Sequence, residues 1–264
     1  MKKIAIVNQK GGVGKSTVCQ NLAVCLTRLG KKILCIDSDP QASLTSAFGL
    51  RPDELDNTLP VLLERHFKKE PINLKDFIIR TPEGVYLLPC DIRLTNIDRT
   101  LSNIVARELV YKKALKEIDN LELDFILVDA PPYTSLIVNN ILTYAEGIII
   151  PVSPDFLTLR AFNILADTIS IIREDLNPSL EIIGLLFNLV DFRTFHARDV
   201  IQYTKSTIGH NTHIFKNSIR QNTRIKEAQV KGQSILSYDP KAIGTLDFRE
   251  FTKEFLSVIK NTIQ

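Results

Sequence analysis

A chain of 264 residues, 44% hydrophobic and 24% charged, is long enough to bury a full core and suits one α/β domain over 1–264. Its net charge of +3 excludes a polycation. No apolar run reaches about 18 residues without a charge or a proline, so no bilayer span is expected and the chain is expected in the cytoplasm.

The first strand is expected over 3–8, where Met1-Lys2-Lys3 runs directly into Ile4-Ala5-Ile6-Val7. That stretch is too short for a secretory leader, and glycines follow where a cleavage site would be needed. A helix over 15–29 and a strand over 32–36 come next. The stretch 50–82, with scattered proline and mixed charge, leaves room for one or two short helices. Strands are then expected over 85–89, 124–128, 146–152 and 182–190, and helices over 104–121, 135–144 and 157–175. Further helices are expected over 196–208 and 245–262, with a short one near 224–230. Short β-branched runs alternating with helical segments predict an α/β fold, a mostly parallel twisted sheet with helices on both faces.

Between the first strand and the first helix stands Lys10-Gly11-Gly12-Val13-Gly14-Lys15-Ser16-Thr17. Glycines there allow positive φ, so successive N–H groups converge on an anion beside the helix N-terminus. Lys15 is placed to bridge β- and γ-phosphates and Ser16 to offer its hydroxyl to Mg²⁺. The usual phosphate-loop pattern would want a glycine where this chain has Gln9, and carries no lysine at position 10. The segment resembles the deviant Walker A motif of the ParA, Soj and MinD ATPases, which implies a P-loop NTPase fold with ATP and Mg²⁺ as cofactors. The resemblance further implies an ATP-dependent homodimer in which Lys10 reaches the partner's nucleotide, an arginine-finger logic.

Ile33-Leu34-Cys35-Ile36 ends in Asp37-Ser38-Asp39-Pro40-Gln41, which sets carboxylates at the ligand-binding edge of a parallel sheet. The segment is similar to the family's second signature. Asp39 then matches the group that orients the attacking water, with Asp37 near hydrated Mg²⁺. Asp124 to Asp129 is another apolar strand closing on an acid; it reads as Walker B, with Asp129 holding Mg²⁺ through water. Ala130-Pro131-Pro132 resembles the family's switch loop. Asn188 closes a further apolar strand, either as a turn former or, by the resemblance, as a reader of adenine.

From Arg193 to Lys241 nine Lys or Arg stand against three acids, so basicity is concentrated late in the chain. Ile219 to Phe251 is similar to the ParA/Soj C-terminal pattern, although Arg220 is displaced from the usual basic position and Ser234 replaces a usual proline. Arg193, Arg220 and Arg224 are the candidate DNA contacts. With the phosphate loop at residue 10, no helix-turn-helix is expected ahead of it, so DNA binding is expected to be sequence-blind. The resemblance also implies a ParB-type centromere-binding partner and hydrolysis of ATP with weak basal activity. The competing class is a MinD-like membrane-associated ATPase. Against it, Phe248, Phe251, Phe255, Ile259 and Ile263 form one apolar stripe whose opposite face mixes both charges, as expected of a helix packed on its own domain. Cys19, Cys25, Cys35 and Cys90 show no metal-ligand spacing and read as buried thiols. A cluster shared between subunits, as in nitrogenase iron proteins, is the alternative. His66, His196, His210 and His213 read as surface or loop residues.

Overall fold

The computed structural model describes residues 1–155 and 157–262. Strands β1 (Lys2–Ile6), β2 (Ile33–Asp37), β3 (Ile79–Arg80), β4 (Tyr86–Leu88), β5 (Phe125–Asp129), β6 (Gly147–Val152) and β7 (Glu181–Phe187) form one sheet. Its order is β3-β4-β2-β5-β1-β6-β7, with only β3 and β4 antiparallel.

Strand alternation divides the apolar residues between two layers. Leu34 and Ile36 of β2 and Ile126 and Val128 of β5 face one layer, covered by α3 (Leu59–Lys68), α4 (Leu94–Leu101), α5 (Val110–Ala114), α6 (Leu136–Tyr144) and α7 (Thr158–Asp175). Ile33, Cys35, Phe125 and Leu127 face the other. There they meet α1 (Lys15–Arg28), α9 (Thr223–Val230), α10 (Ile235–Tyr238) and α11 (Ile243–Thr262). The short α2 (Ser43–Ala47) follows β2, and α8 (Phe195–Ile208) follows β7.

The expected strands are present within two or three residues, and the α/β architecture is as read from the alternation. Two regions differ. The helix expected over 104–121 is broken into 3₁₀ turns at Arg107–Leu109 and Lys116–Asn120 on either side of the five-residue α5. Val110, Tyr111, Leu115 and Ile118 are all buried, so the apolar period is real. Asn140 of α6 nevertheless fixes the break, accepting from Tyr111 N at 3.0 Å and donating to Arg107 O at 2.8 Å. The second region is 50–82, which holds α3, two 3₁₀ turns and the edge strand β3, while α4 lies just beyond in a stretch given no element.

Phe248, Phe251 and Phe255 of α11 are fully buried, and Ile259 is 5% exposed. The Phe251 ring stands 5.0 Å from Phe215 and the Phe255 ring 5.8 Å from Phe125. The apolar stripe therefore belongs to the core, at about 2 kcal/mol of burial per side chain. Ile263 lies outside the described residues. Ser234 caps α10, and both its N–H and its hydroxyl donate to Glu83. A proline there could make neither bond, so this chain holds the segment by a different device.

Candidate active site

Parallel pairing brings the chemistry to one edge. β5 lies between β1 and β2, with Asp129 in register with both Ile6 and Asp37. The loop after β1 therefore opens beside two acid-tipped strands. Asn8, which the sequence did not single out, starts that loop: it donates to Pro151 O at 2.7 Å and accepts from Lys10 N at 2.9 Å.

Gly12 and Gly14 hold φ of +75° and +83°, conformations that L side chains rarely adopt. A Cβ at Gly14 would collide with the Asn188 amide nitrogen. That nitrogen donates to Val13 O at 2.7 Å, so Asn188 supports the loop from beneath. Its Oδ1 is buried and has no partner among the described residues. The neighbouring Leu189 takes φ of +58°.

A cavity of about 570 Å³ opens over this loop, walled by Gly12, Gly14, Lys15, Ser16 and Thr17 on one side and by α9 on the other. Its size and its loop of backbone N–H groups suit a nucleotide. Lys15 is 7% exposed, with Nζ 3.3 Å from Lys10 O. Burial holds its ammonium below the usual lysine range, against the pull of Asp129 and Asp39. Gln229 of α9 donates to Thr17 Oγ1 at 2.8 Å, tying that wall to the loop.

The three aspartates differ. Asp129 is fully buried, and neither carboxylate oxygen has a hydrogen-bond partner among the described residues. Burial, with Asp37 beside it, raises its pKa well above the ordinary carboxylate range. The Ser16 hydroxyl and Lys15 pull the other way, and a buried carboxyl without a formed hydrogen bond at a phosphate loop fits a cation or its water shell. Asp37 is already satisfied: Oδ2 accepts from Thr45 N at 2.8 Å and Thr45 Oγ1 at 2.7 Å, and Oδ1 accepts from Asp39 N at 3.2 Å. Burial still raises its pKa to about 6. Asp37 thus positions α2 and the Asp39 turn. Asp39 lines the cavity, accepts from Gln41 N at 2.9 Å and is raised by burial, offset by that N–H and by Lys15. Among the described residues no three His, Cys, Asp or Glu side chains are grouped to hold a metal ion, so any Mg²⁺ here would be held chiefly by water and phosphate oxygens.

Lys10 is not among the residues that line the cavity. Its side chain, 34% exposed, forms an ion pair with Asp155, in the turn between β6 and α7. Asp155 also accepts from Ser153 Oγ and Leu157 N, and despite burial these bonds and Lys10 hold its carboxyl below the usual range. The acid after Ser153-Pro154, at the same sheet edge, was the available signal for this residue.

The candidate DNA contacts are not lining residues of the cavity, although Arg220 and Arg224 adjoin Gln221 and Ile225, which are, and all three are engaged within the chain. Arg193 forms a fork on Asp191, with both bonds at 2.8 Å. Arg224 pairs with Glu227 at 2.8 Å. Arg220 grips Asp247, whose side chain is 8% exposed, through Nε at 3.0 and 3.1 Å. Among the described residues, Arg198, Lys205, Lys216, Lys231 and Lys241 of the same basic stretch have no ion pair.

The family described as an AAA domain matches residues 1–182. The sporulation initiation inhibitor protein Soj of Bacillus subtilis is 32% identical over 254 residues, covering 96% of this chain and 97% of its own. The chromosome-partitioning ATPase Soj of Thermus thermophilus is 31% identical over 260 residues, covering 98% of this chain and 97% of its own. Among solved structures, cobyrinic acid a,c-diamide synthase from Mycobacterium smegmatis with bound ADP and magnesium superposes with a TM-score of 0.84 at 30% identity. That alignment covers 98% of this chain and 96% of the other.

Proposed function

The chain belongs to the ParA/Soj family of P-loop ATPases, with ATP and Mg²⁺ as its cofactors, and on that premise we propose that it serves DNA partition as an ATP-gated homodimer. In this reading ATP assembles a sandwich dimer that binds DNA without sequence preference, and hydrolysis stimulated by a ParB-type partner resets it. The protein then works in the cytoplasm, on the nucleoid.

The observation that carries the reading is the division of labour between two lysines on one loop. Lys15 is buried and lines the cavity, whereas Lys10 lies outside its lining, one-third exposed and paired with Asp155. A partly exposed lysine outside the cavity serves its own nucleotide poorly but is free to meet one held by a second copy. Gly11 to Thr17 cradle the phosphates, Ser16 and Asp129 would hold Mg²⁺, and Asp37 keeps Asp39 facing the cavity, where Asp39 orients water. Bound Mg²⁺ supplies neutralising charge at the phosphate oxygens.

For DNA, Arg193 and Arg224 remain more than half exposed, and the unpaired cations of the same stretch add to them. If a dimer neutralises roughly four phosphates, affinity falls about 100-fold between about 50 and 200 mM salt. The buried stripe of α11 favours this reading over a membrane-associated one, and no described helix is long and apolar enough to cross a membrane.

Sedimentation with ATP and with ADP, alongside fluorescence anisotropy on two unrelated duplexes, tests the proposal. Dimer formation and equal binding to both duplexes are expected with ATP only. Equal DNA affinity in both nucleotide states, or a strong preference for one duplex, overturns it.

A further inference from the structure

A second cavity, of about 340 Å³, opens at the opposite edge of the sheet, where β2, β4 and β5 begin and β3 ends. Leu34 forms its floor, with Ile78, Tyr86 and Leu123 as walls. Of these only Leu34 is fully buried; the other three are half-buried, so apolar surface is gathered here in a concave place and left open to water. Such a volume lies in the range of small-molecule sites.

Charge at the rim is one-sided. Lys32, Lys75 and Arg80 border the cleft against a single acid, Glu122. Glu122 is already taken by Lys32, at 3.1 Å. Lys75 and Arg80 have no carboxylate partner among the described residues; the Arg80 guanidinium lies 6.0 Å from the Tyr86 ring centroid. Two unneutralised cations beside an apolar hollow match an anion that carries an apolar body. Neither a nucleotide triphosphate nor an uncharged solute uses both features.

We propose that this cleft binds a small amphiphilic acid, its aliphatic or aromatic body on Leu34, Ile78, Tyr86 and Leu123 and its carboxylate or phosphate held by Lys75 and Arg80. The site is separate from the nucleotide cavity and shares no lining residue with it. It does not depend on the partition reading. Because the floor is part of β2, which ends at Asp37, an occupant would sit on a strand that leads to the catalytic edge.

NMR titration of the full chain with octanoate and with 2-naphthoate, each beside its neutral alcohol, tests the site. At least one acid should saturate at one molecule per chain, shifting amides near 32–34, 78–80, 86 and 121–123, with ATP present as well as absent. The neutral alcohol should bind about tenfold more weakly or worse, as should the acid to a Lys75→Glu/Arg80→Glu variant. Wild-type ATP affinity in that variant confirms that its fold is intact. The tighter of the two acids identifies the body as aliphatic or aromatic. The proposal is overturned by no saturable shift with either acid, by equal binding of acid and alcohol, by undiminished binding to the charge-reversed variant, or by displacement with ATP.

Discussion

The nucleotide edge and the basic C-terminal stretch both carry concentrated charge, yet they treat it in opposite ways. At the nucleotide edge Asp129 is buried with both oxygens unpartnered, and Lys15 is buried with a backbone carbonyl as its contact. In the basic stretch the three arginines singled out by sequence are all neutralised by acids of the same chain. Unpaired buried charge is costly to maintain and marks a place where a ligand completes the bonding. Charge already paired on a surface is first of all a feature of the fold, and only secondarily a means of binding.

The largest expected effect breaks the first half of that comparison. Lys15→Ala removes the cation that the cavity is built around and should weaken ATP binding by about 3 kcal/mol or more, roughly 100-fold, with the fold retained. Equilibrium binding of a fluorescent ATP analogue measures it, and wild-type affinity would end the phosphate-loop assignment. Asp39→Ala comes next. It leaves the cradle whole, so ATP should bind and dimerise the chain while phosphate release falls about 100-fold or more. Undiminished turnover would remove Asp39 from the chemistry.

The other half is sharpened by comparing arginines. Arg220→Ala strands the nearly buried Asp247 carboxylate, and should cost about 2 kcal/mol of stability once the guanidinium's partial exposure is allowed for. Arg193→Ala, at a pair on the open surface, should leave the melting temperature unchanged and lower the salt dependence of DNA binding. Thermal melts of the two variants side by side decide this, and equal melting temperatures would show that Arg220 is not a structural residue. The smallest effect concerns Lys10. Asp155→Asn weakens its hold within the chain, a pair about one-third exposed and worth about 1 kcal/mol, so the ATP-bound dimer should tighten by up to about fivefold for each of its two pairs. Sedimentation equilibrium with ATP reads the change, and a weaker dimer would mean that Asp155 supports Lys10 in its working position.

The sequence by itself determined the elements whose information is local. β-branched runs ending in Asp37 and Asp129, and a glycine-rich loop opening a helix, specify strand, turn and helix through backbone preference and side-chain period, which neighbouring residues alone decide. The same is true of the α11 stripe, whose spacing already required a buried face. Only the tertiary structure decided which charges are spent. Asp37 is satisfied by Thr45, Arg220 by Asp247 and Lys10 by Asp155, partners 8, 27 and 145 residues away. It likewise decided that the apolar period of 104–121 is broken, because the bonds that break it come from Asn140. Hydrogen bonds and ion pairs act over a few ångströms of space, and no periodicity along the chain records which distant residue the packing will bring within that reach.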